Sequence, residues 1–291
     1  MELPLVVGVD GSDSSLLAVD WAVDEAARHR LALHLVHASL RERYEAVQPS
    51  FSTDRPAEAV MAQHIISSSL ERARLRDPEV KASGEVLPDD AVSVLLRAGP
   101  EAFALVTGSH GRGEVAGLLL GSVSLAVAAR AVCPVFVVRS GDPIHQGTFG
   151  RVVVGVGDPT GDAGAVRFAV REAEVRGCAL TAVRAWRNPA QEPVDHMLIA
   201  DDAARLREER ASTGLEDALR EAAREYPQVD IQRRPVEGPA HRVLLKASAE
   251  ADLVVVGAQR RHGHFGLQLG RVAHALLHHS ECPVAVVPQP V

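Results

Sequence analysis

Short apolar runs alternate with longer amphipathic stretches along the whole chain. In the first half, the apolar runs predict strands at Leu5–Val9, Leu31–Ala38, Lys81–Leu87, Ala104–Thr107 and Val135–Val138. The stretches between them predict helices at Ser14–Arg30, Ala57–Arg76, Ala91–Ala98 and Val123–Ala131. This alternation is typical of parallel strands joined by right-handed crossovers. Because the strands are nearly continuous in Val and Leu, we expect an α/β fold with helices on both faces of the sheet.

The two halves of the chain are copies of each other. Leu5–Ala38 matches Val152–Ala185 at fourteen of thirty-four positions without gaps. Ala104–Arg139 matches Leu253–Pro288 at fourteen of thirty-six. Unrelated segments of these lengths share about two or three residues, so the chain contains an internal duplication.

The length of the duplicated unit indicates two domains. A chain of 291 residues is comfortable for two α/β domains of about 145 residues each. Gly and Pro are concentrated in "SGDPIHQGTFG", Ser140–Gly150, which is typical of a linker. We therefore predict domains at 1–140 and 151–291, with a linker at 141–150. In the second domain, a long charged helix is expected at about Ala200–Tyr226.

The charge and the apolar segments exclude two classes of partner. With a net charge of −7 and a pI near 6.0, the chain has no basic surface for nucleic acid or for an anionic membrane. Its longest small-or-apolar stretch, Val115–Ala129, has fifteen residues, whereas a membrane span needs about 20. No signal peptide is evident, and Cys133 and Cys282 are expected to be buried, inert thiols, so we predict a soluble, cytoplasmic protein.

A glycine-rich loop after the fourth strand is the first candidate for a binding site. Gly108, Gly111 and Gly113 are expected to turn the backbone through positive φ and to let it approach a ligand. Gly121-Ser122 then opens a helix, whose N–H groups and dipole favour anionic oxygens, with the Ser122 and Ser124 hydroxyls as further donors.

Asp10, in "VDGSDSS" after the first strand, is the second candidate. Its carboxylate can accept hydrogen bonds from a ligand's hydroxyl or amine. It can equally be a turn or cap residue, since "DGSDSS" favours turns by itself. Ligands of open parallel sheets bind beyond the carboxyl ends of the strands, which is where both candidates lie.

Two common phosphate-binding motifs do not account for the loop. It contains no lysine and therefore no G-x-x-x-x-G-K-[ST] motif. Gly111-x-Gly113-x-x-Ala116 formally fits a dinucleotide fingerprint, but it follows the fourth strand and has no acidic residue about 20 positions further on.

The spacing Gly108-x2-Gly111-x9-Gly121-Ser122 resembles the ATP-binding signature of the universal stress protein family, G-x2-G-x9-G-[S/T]. "VVGVDGSDSS" is similar to the first strand and turn of that family, and "CPVFVV" and "CPVAVV" are similar to its last strand. The resemblance covers both copies and implies two tandem Rossmann-like α/β/α sandwiches. Each would have a five-stranded parallel sheet in the order 3-2-1-4-5.

The resemblance also implies a ligand and a role. The chain would be a stress-response regulator that binds ATP in its first domain, with Mg²⁺ as an accompanying ion. It would form a homodimer or a pseudo-symmetric association of its two domains. The ten residues it places at the nucleotide are Gly8, Asp10 and Ala38 around the adenosine, Thr107, Gly108 and Gly111 along the ribose and phosphates, and Gly121, Ser122, Val123 and Ser124 at the phosphate chain.

The second copy departs from this pattern at its polar positions. Arg260 replaces the middle glycine and Arg271 replaces the serine. Gly157 stands where Asp10 stood, with Asp158 one place later. A side chain at the close-approach position blocks contact between backbone and phosphate, whereas a guanidinium could instead fill the space or bind an anion through its own fork. We therefore expect the second copy to have lost ordinary ATP binding.

Two other functions remain open. "DGSDSS" faintly resembles the S-G-G-x-D-S loop of related-fold ATP pyrophosphatases, so an ATP-hydrolysing or adenylyl-transfer enzyme is one, although no catalytic residues can be assigned. A dimerising scaffold that does not bind nucleotide is the other.

His274 and His278 have metal-ligand spacing, as do His262 and His264. Without a third ligand, we interpret them as surface or interface residues and predict no metal site.

Overall fold

The computed structural model describes residues 2–39, 57–111, 120–139, 149–157, 161–187, 197–258 and 269–289. The chain divides into two compact units, Met1–Ser140 and Gly141–Val291. In the described ranges, no helix combines the length and apolar character needed to cross a bilayer. The linker expected at 141–150 and the glycine-loop residues 112–119 lie almost wholly outside these ranges.

The first unit follows the predicted alternation of strands and helices. Its strands are β1 (Leu5–Gly8), β2 (Leu33–Ala38), β3 (Ala82–Leu87), β4 (Ala104–Gly108) and β5 (Val135–Val138). Its α-helices are α1 (Asp13–His29), α2 (Ala57–Arg76), α3 (Ala91–Ala98) and α4 (Ser122–Arg130), with a short 3-10 turn at Gly99–Glu101.

The sheet of the first unit is parallel and has the order β3-β2-β1-β4-β5. Helices α1 and α2 pack together, α3 and α4 pack together, and both pairs contact the sheet. Strands β4 and β5 are buried at every residue, as expected for strands covered on both faces. The predicted fold class is therefore confirmed for this unit.

The second unit repeats the plan. Its strands are β6 (Arg151–Gly155), β7 (Ala179–Trp186), β8 (Ile231–Glu237), β9 (Leu253–Ala258) and β10 (Val284–Pro288). Its helices are α5 (Ala163–Arg176), α6 (Met197–Glu225), α7 (Ala240–Ser248) and α8 (Arg271–His279). Its parallel sheet has the order β8-β7-β6-β9-β10, which is again 3-2-1-4-5 within the unit.

Helix α1 buries a stripe of small and aromatic residues against the sheet. Ala18, Ala22 and Ala26 are fully buried, and the Trp21 ring lies 4.7 Å from the Phe136 ring of β5, centre to centre. Glu25 shares this stripe and is also fully buried, paired with Arg28 at 3.1 Å. A buried carboxylate is tolerated when it is paired and hydrogen-bonded, and Glu25 meets that condition.

The turn between α1 and β2 differs slightly from the prediction. The helix ends at Arg30, which adopts a left-handed φ of 56° and donates its N–H to the carbonyls of the last turn. Leu31 donates to the Ala26 carbonyl at 2.9 Å and belongs to the helix end. Strand β2 therefore begins at Leu33 and not at Leu31.

The two cysteines that precede the last strand of each unit are buried, as predicted. Burial raises the pKa of the Cys133 thiol to about 11. It raises the pKa of the Cys282 thiol to about 12. Both stay protonated at neutral pH, and a protonated thiol is a poor nucleophile and a poor metal ligand.

Candidate functional site

A cleft of about 340 Å³ opens at the carboxyl ends of β1 and β4 in the first unit. The strand order reverses at this point, because β1 pairs with β2 on one side and with β4 on the other. All ten residues proposed from the sequence line this cleft, namely Gly8, Asp10, Ala38, Thr107, Gly108, Gly111, Gly121, Ser122, Val123 and Ser124.

Asp10 fits both interpretations drawn from the sequence, as a turn residue and as a residue that faces the cleft. Its Oδ1 accepts hydrogen bonds from the Ser12 N–H (2.9 Å) and hydroxyl (2.6 Å), which makes it a turn residue. The N-cap of α1 is Ser12, whose hydroxyl accepts from the Ser15 N–H. The other oxygen, Oδ2, faces Gly111, where an added Cβ would lie 3.0 Å away. One oxygen of Asp10 thus fixes the turn, and the other faces the cleft.

Gly108 is required by packing and not by its φ angle. A Cβ on Gly108 would lie 2.6 Å from both the carbonyl oxygen and the hydroxyl of Ser14, at the start of α1. Neither Gly108 nor Gly111 has a positive φ, so the expectation from the sequence is wrong for both. Among the described glycines beside the cleft, it is Gly11 that has a positive φ, of 78°. The glycine at 108 lets the end of β4 touch the start of α1. Gly113 lies outside the described residues.

The start of α4 forms the far wall of the cleft. Gly121 is the N-cap, and its N–H donates to the Ser109 carbonyl at 2.8 Å, which joins the two described ends of the glycine loop. Ser122 is exposed at the first helical position. Ser124 is buried and donates its hydroxyl hydrogen to the Gly108 carbonyl at 2.7 Å. The Ser124 hydroxyl therefore positions the loop and does not offer its hydrogen to an anion.

Thr107 places a hydroxyl with no protein partner on the cleft. Its side chain is 4 % exposed, and its Oγ1 has no hydrogen-bond partner among the described residues. Buried hydroxyls are almost always satisfied, by protein or by ordered water, so Thr107 is the first candidate in the described lining for a bond to a molecule held in the cleft.

A closed ring of hydrogen bonds in the glycine loop was not foreseen from the sequence. The His110 N–H donates to the Ser14 hydroxyl (3.2 Å), which lies 3.5 Å from the Ser109 hydroxyl. The Ser109 hydroxyl in turn bonds the His110 Nδ1 (2.8 Å). This ring joins the start of α1 to the loop after β4. The pattern "GSHG" carries no spacing rule that would have revealed it.

His37, at the end of β2, also lines the cleft and was not among the predicted residues. Its Nδ1 donates to the Val9 carbonyl at 2.7 Å. In the neutral ring this leaves Nε2 as a hydrogen-bond acceptor. Asp10, His37 and His110 are the titratable side chains of the described lining, which contains no lysine or arginine. An anion bound there would depend on backbone N–H groups, hydroxyls and the α4 dipole.

The second unit has a cleft of about 630 Å³ at the corresponding place. Its described lining includes Arg271, at the first position of α8, and Val256, where the first cleft has Thr107. Arg260 and Asp158, on which part of the sequence comparison rests, lie outside the described residues.

A buried carboxylate is part of the lining of this second cleft. Asp162 is 7 % exposed, and its Oδ2 accepts a hydrogen bond from the Gly157 N–H at 2.7 Å. Its Oδ1 would lie 2.5 Å from a Cβ on Gly257, at the end of β9. The buried Gln289 amide lies beside Gly257, and in the orientation that satisfies both its atoms it donates to the Gly161 carbonyl at 2.6 Å and accepts from the Ala165 N–H at 3.1 Å. Without gaps, Asp162 aligns with Ser15 of the first copy, which is the signal that could have identified it.

The histidines of α8 lie against one another. The rings of His274 and His278 are 4.3 Å apart, centre to centre, and those of His278 and His279 are 6.0 Å apart. His262 and His264 fall outside the described ranges. Within those ranges, these histidines form no cluster of three ligand atoms close enough to share a metal ion.

The geometry defines a class of protein, a tandem pair of doubly wound α/β domains, each with a cleft at the reversal of its strand order. The family model "Universal stress protein family" matches residues 3–139 and 148–288. The chain belongs to the universal stress protein family.

Three proteins of the same description are similar to this chain. A universal stress protein of Mycobacterium tuberculosis is 34% identical, over 98% of this chain and 97% of its own. The crystal structure of a universal stress protein from Archaeoglobus fulgidus covers 99% of both chains with a TM-score of 0.60 and 17% identity, and so supports the fold. A solved universal stress protein in complex with cAMP is 29% identical, covering 48% of this chain and 99% of that one, with a TM-score of 0.36.

Proposed function

We propose that the cleft of the first unit binds ATP and that the chain acts as a nucleotide-dependent stress-response regulator. The observation that carries this proposal is the unsatisfied Thr107 hydroxyl. It lies in the same cleft as the ligand-facing oxygen of Asp10 and the start of α4, so acceptors, a hydroxyl and a positive helix end converge on one space.

Each part of the nucleotide would have its own place in the cleft. The base fits the apolar end, between Val9 and Leu95, where the His37 Nε2 is an acceptor for an amino group. The ribose hydroxyls fit the Asp10 Oδ2 and the Thr107 Oγ1. The phosphates fit the N–H groups at the start of α4 and the exposed Ser122 hydroxyl. Mg²⁺ would accompany the phosphates and reduce their charge.

Binding and turnover are separated by one experiment. The purified chain is denatured, and the small molecules it releases are identified by chromatography and mass spectrometry; added ATP is then followed over time. Recovered ATP that is turned over slowly or not at all supports a regulator. Rapid conversion of added ATP would instead indicate a hydrolase or an adenylyl-transfer enzyme. A chain that neither contains nor binds nucleotide would be a scaffold and would overturn the proposal.

A further inference from the structure

A second cavity of the second unit, of about 510 Å³, shares four lining residues with the cleft described above, and its charged side chains are basic. Three elements supply them: Arg187 follows β7, His241 is the second residue of α7, and Arg271 is the first residue of α8. Asp162 lines the neighbouring cleft and is not part of the lining of this cavity. The cavity therefore gathers positive charge that no carboxylate of its described lining balances.

The three basic side chains have no partner within the part of the chain that the structure describes. Arg187 and Arg271 are exposed and His241 is half-buried, and none of their side chains forms a hydrogen bond or an ion pair with a described residue. Other arginines of the same unit, such as Arg167 and Arg220, pair with carboxylates. A guanidinium presents its N–H donors as a fork that matches phosphate oxygens. The donors of Arg187 and Arg271 are thus open to an anion in the cavity.

Two helices begin at this cavity without a side-chain cap. The N-caps of α7 and α8 are Pro239 and Gly270, and neither supplies a capping hydrogen bond from its side chain. The first N–H groups of a helix have no partner inside the helix, and they carry the positive end of its dipole. Because residues of both first turns line the cavity, these N–H groups add to the attraction that the basic side chains exert on an anion.

The first unit carries the opposite charge at the equivalent positions. There, Asp90 caps α3 and accepts a hydrogen bond from the Ser93 N–H at 3.0 Å, and Asp89 pairs with Arg97 at 2.7 Å. The corresponding residues of the two copies are Asp89 and Gly238, Asp90 and Pro239, Val92 and His241, and Ser122 and Arg271. The shared framework thus forms with neutral residues at the two basic positions and with acidic residues before the helix. The basic residues of the second unit are therefore not needed for the framework, which points to a role in binding.

We propose that this cavity of the second unit binds an anion of the phosphate class. The anion would contact the guanidinium groups of Arg187 and Arg271, with His241 and the first-turn N–H groups as further donors. Its source is either inorganic, such as diphosphate, or a small phosphomonoester, and the test separates the two. The inference goes beyond the proposed function, which concerns the first unit, and does not depend on it. The cleft beside Asp162 is still expected not to hold ATP.

Isothermal titration of the full chain with diphosphate and with ribose 5-phosphate tests the proposal. We expect at least one of the two to bind, and Arg187→Gln and Arg271→Ser each to weaken that binding about 10-fold, as for hydrogen bonds to a charged group. Arg242→Gln is the matched control, because Arg242 is exposed next to His241 but is not part of the described lining. It should change the affinity by less than about 2-fold, since a charge away from the anion is screened.

The two anions identify the source. Tighter binding of ribose 5-phosphate assigns the cavity to a phosphomonoester, and tighter binding of diphosphate assigns it to an inorganic anion. No binding of either anion up to about 10 mM would overturn the proposal. Equal effects of Arg187→Gln and Arg242→Gln would also overturn it, because an anion held in the first unit would respond to neither substitution.

A further substitution separates lost binding from a lost fold. Pro239→Asp introduces the residue type of Asp90 at the start of α7, where the backbone is similar, with φ of −66° at Pro239 and −73° at Asp90. The new cap should maintain or raise the stability of the ligand-free chain, whereas its charge should weaken anion binding about 10-fold or more. Pro239→Asn caps the helix without the charge and should weaken binding less. Thermal unfolding and titration measure the two effects, and unchanged anion affinity in Pro239→Asp would contradict the proposal.

Discussion

The first cleft carries a hydroxyl at Thr107 and a serine at Ser122, where the second carries Val256 and Arg271. In the first, a carboxylate reaches the cleft from the end of the first strand, at Asp10. In the second, it comes from the N-cap of the following helix, at Asp162. The two clefts thus share their backbone framework and the apolar residues at one end, and they differ in the polar residues at the other end. The two copies serve as internal controls, since a residue of one can be placed in the other.

The largest expected effect comes from placing the arginine of the second copy in the first. In Gly111→Arg, the guanidinium can pair with the Asp10 Oδ2, and it fills the space where the phosphates are expected. We expect ATP affinity to fall roughly 100-fold or more, measured by titration calorimetry. The fold should survive, because the φ of Gly111 is not positive. Gln63→Arg, on the exposed face of α2, adds the same charge and should change nothing; unaltered ATP affinity in Gly111→Arg would refute the site.

The second-largest effect is expected from a substitution at the contact between β4 and α1. Gly108→Ala forces a Cβ within 2.6 Å of the Ser14 backbone, and we expect the free energy of unfolding to fall by about 1–3 kcal/mol. Gly99→Ala is the matched control, because its Cβ would make only ordinary contacts, of 3.5 Å or more, at a helical φ. Pro100 follows Gly99 and disfavours the helical region for a residue with a Cβ, which offsets the gain in unfolded-state entropy, so the stability should change by less than about 1 kcal/mol. Denaturation in urea measures both, and equal effects would show that the packing argument is wrong.

Thr107→Val places in the first cleft the residue type found at the same position of the second, Val256, without changing the shape of the cleft. ATP affinity should fall about 5-fold, the value of one net hydrogen bond. The stability of the ligand-free chain should stay the same or rise, since a buried unsatisfied hydroxyl is removed. Calorimetry and thermal unfolding give the two values. A loss of stability together with unchanged affinity would assign the hydroxyl to the fold and not to a ligand.

The smallest effect concerns the ring of hydrogen bonds in the glycine loop. Ser109→Ala copies Ala258 and removes the bond to the His110 Nδ1. We expect about a 2-fold loss of ATP affinity, as for a hydrogen bond at the low end of the usual range. Ser67→Ala, which removes a hydroxyl bond to the His64 carbonyl on α2, is the control. If both serines have the same effect on ATP affinity, the ring does not position the loop.

Much of the fold was predictable from periodicity alone. The helices Ala57–Arg76 and Ala91–Ala98 and the strand Val135–Val138 have their predicted bounds, because each is a long or sharply delimited pattern. Where the bounds of a helix or strand differ from the prediction, the difference lies at a helix cap. Arg30 ends its helix in a left-handed conformation, which is unusual for a residue other than glycine. Hydrophobic patterns do not encode such a cap.

The residues that line the site could be predicted from the sequence, but the role of each residue could not. Ten residues could be placed in one cleft because a spaced signature and a strand end meet at the reversal of strand order. The reasons for individual residues were not accessible. Gly108 serves a helix contact, and Ser124 bonds a carbonyl of its own loop. His37 depends on which side chains meet across the sheet, and spacing along the chain does not carry that information. Asp162 could have been found only by aligning it with Ser15 of the first copy.

Crystals of the full chain grown with ATP and Mg²⁺ test the central claim most directly. The account predicts triphosphate density in the first cleft, with the chain of phosphates at the start of α4 and the ribose against Asp10 and Thr107. It predicts no triphosphate beside Asp162. Density for ATP in the second cleft, or its absence from the first at saturating ATP, would contradict the account.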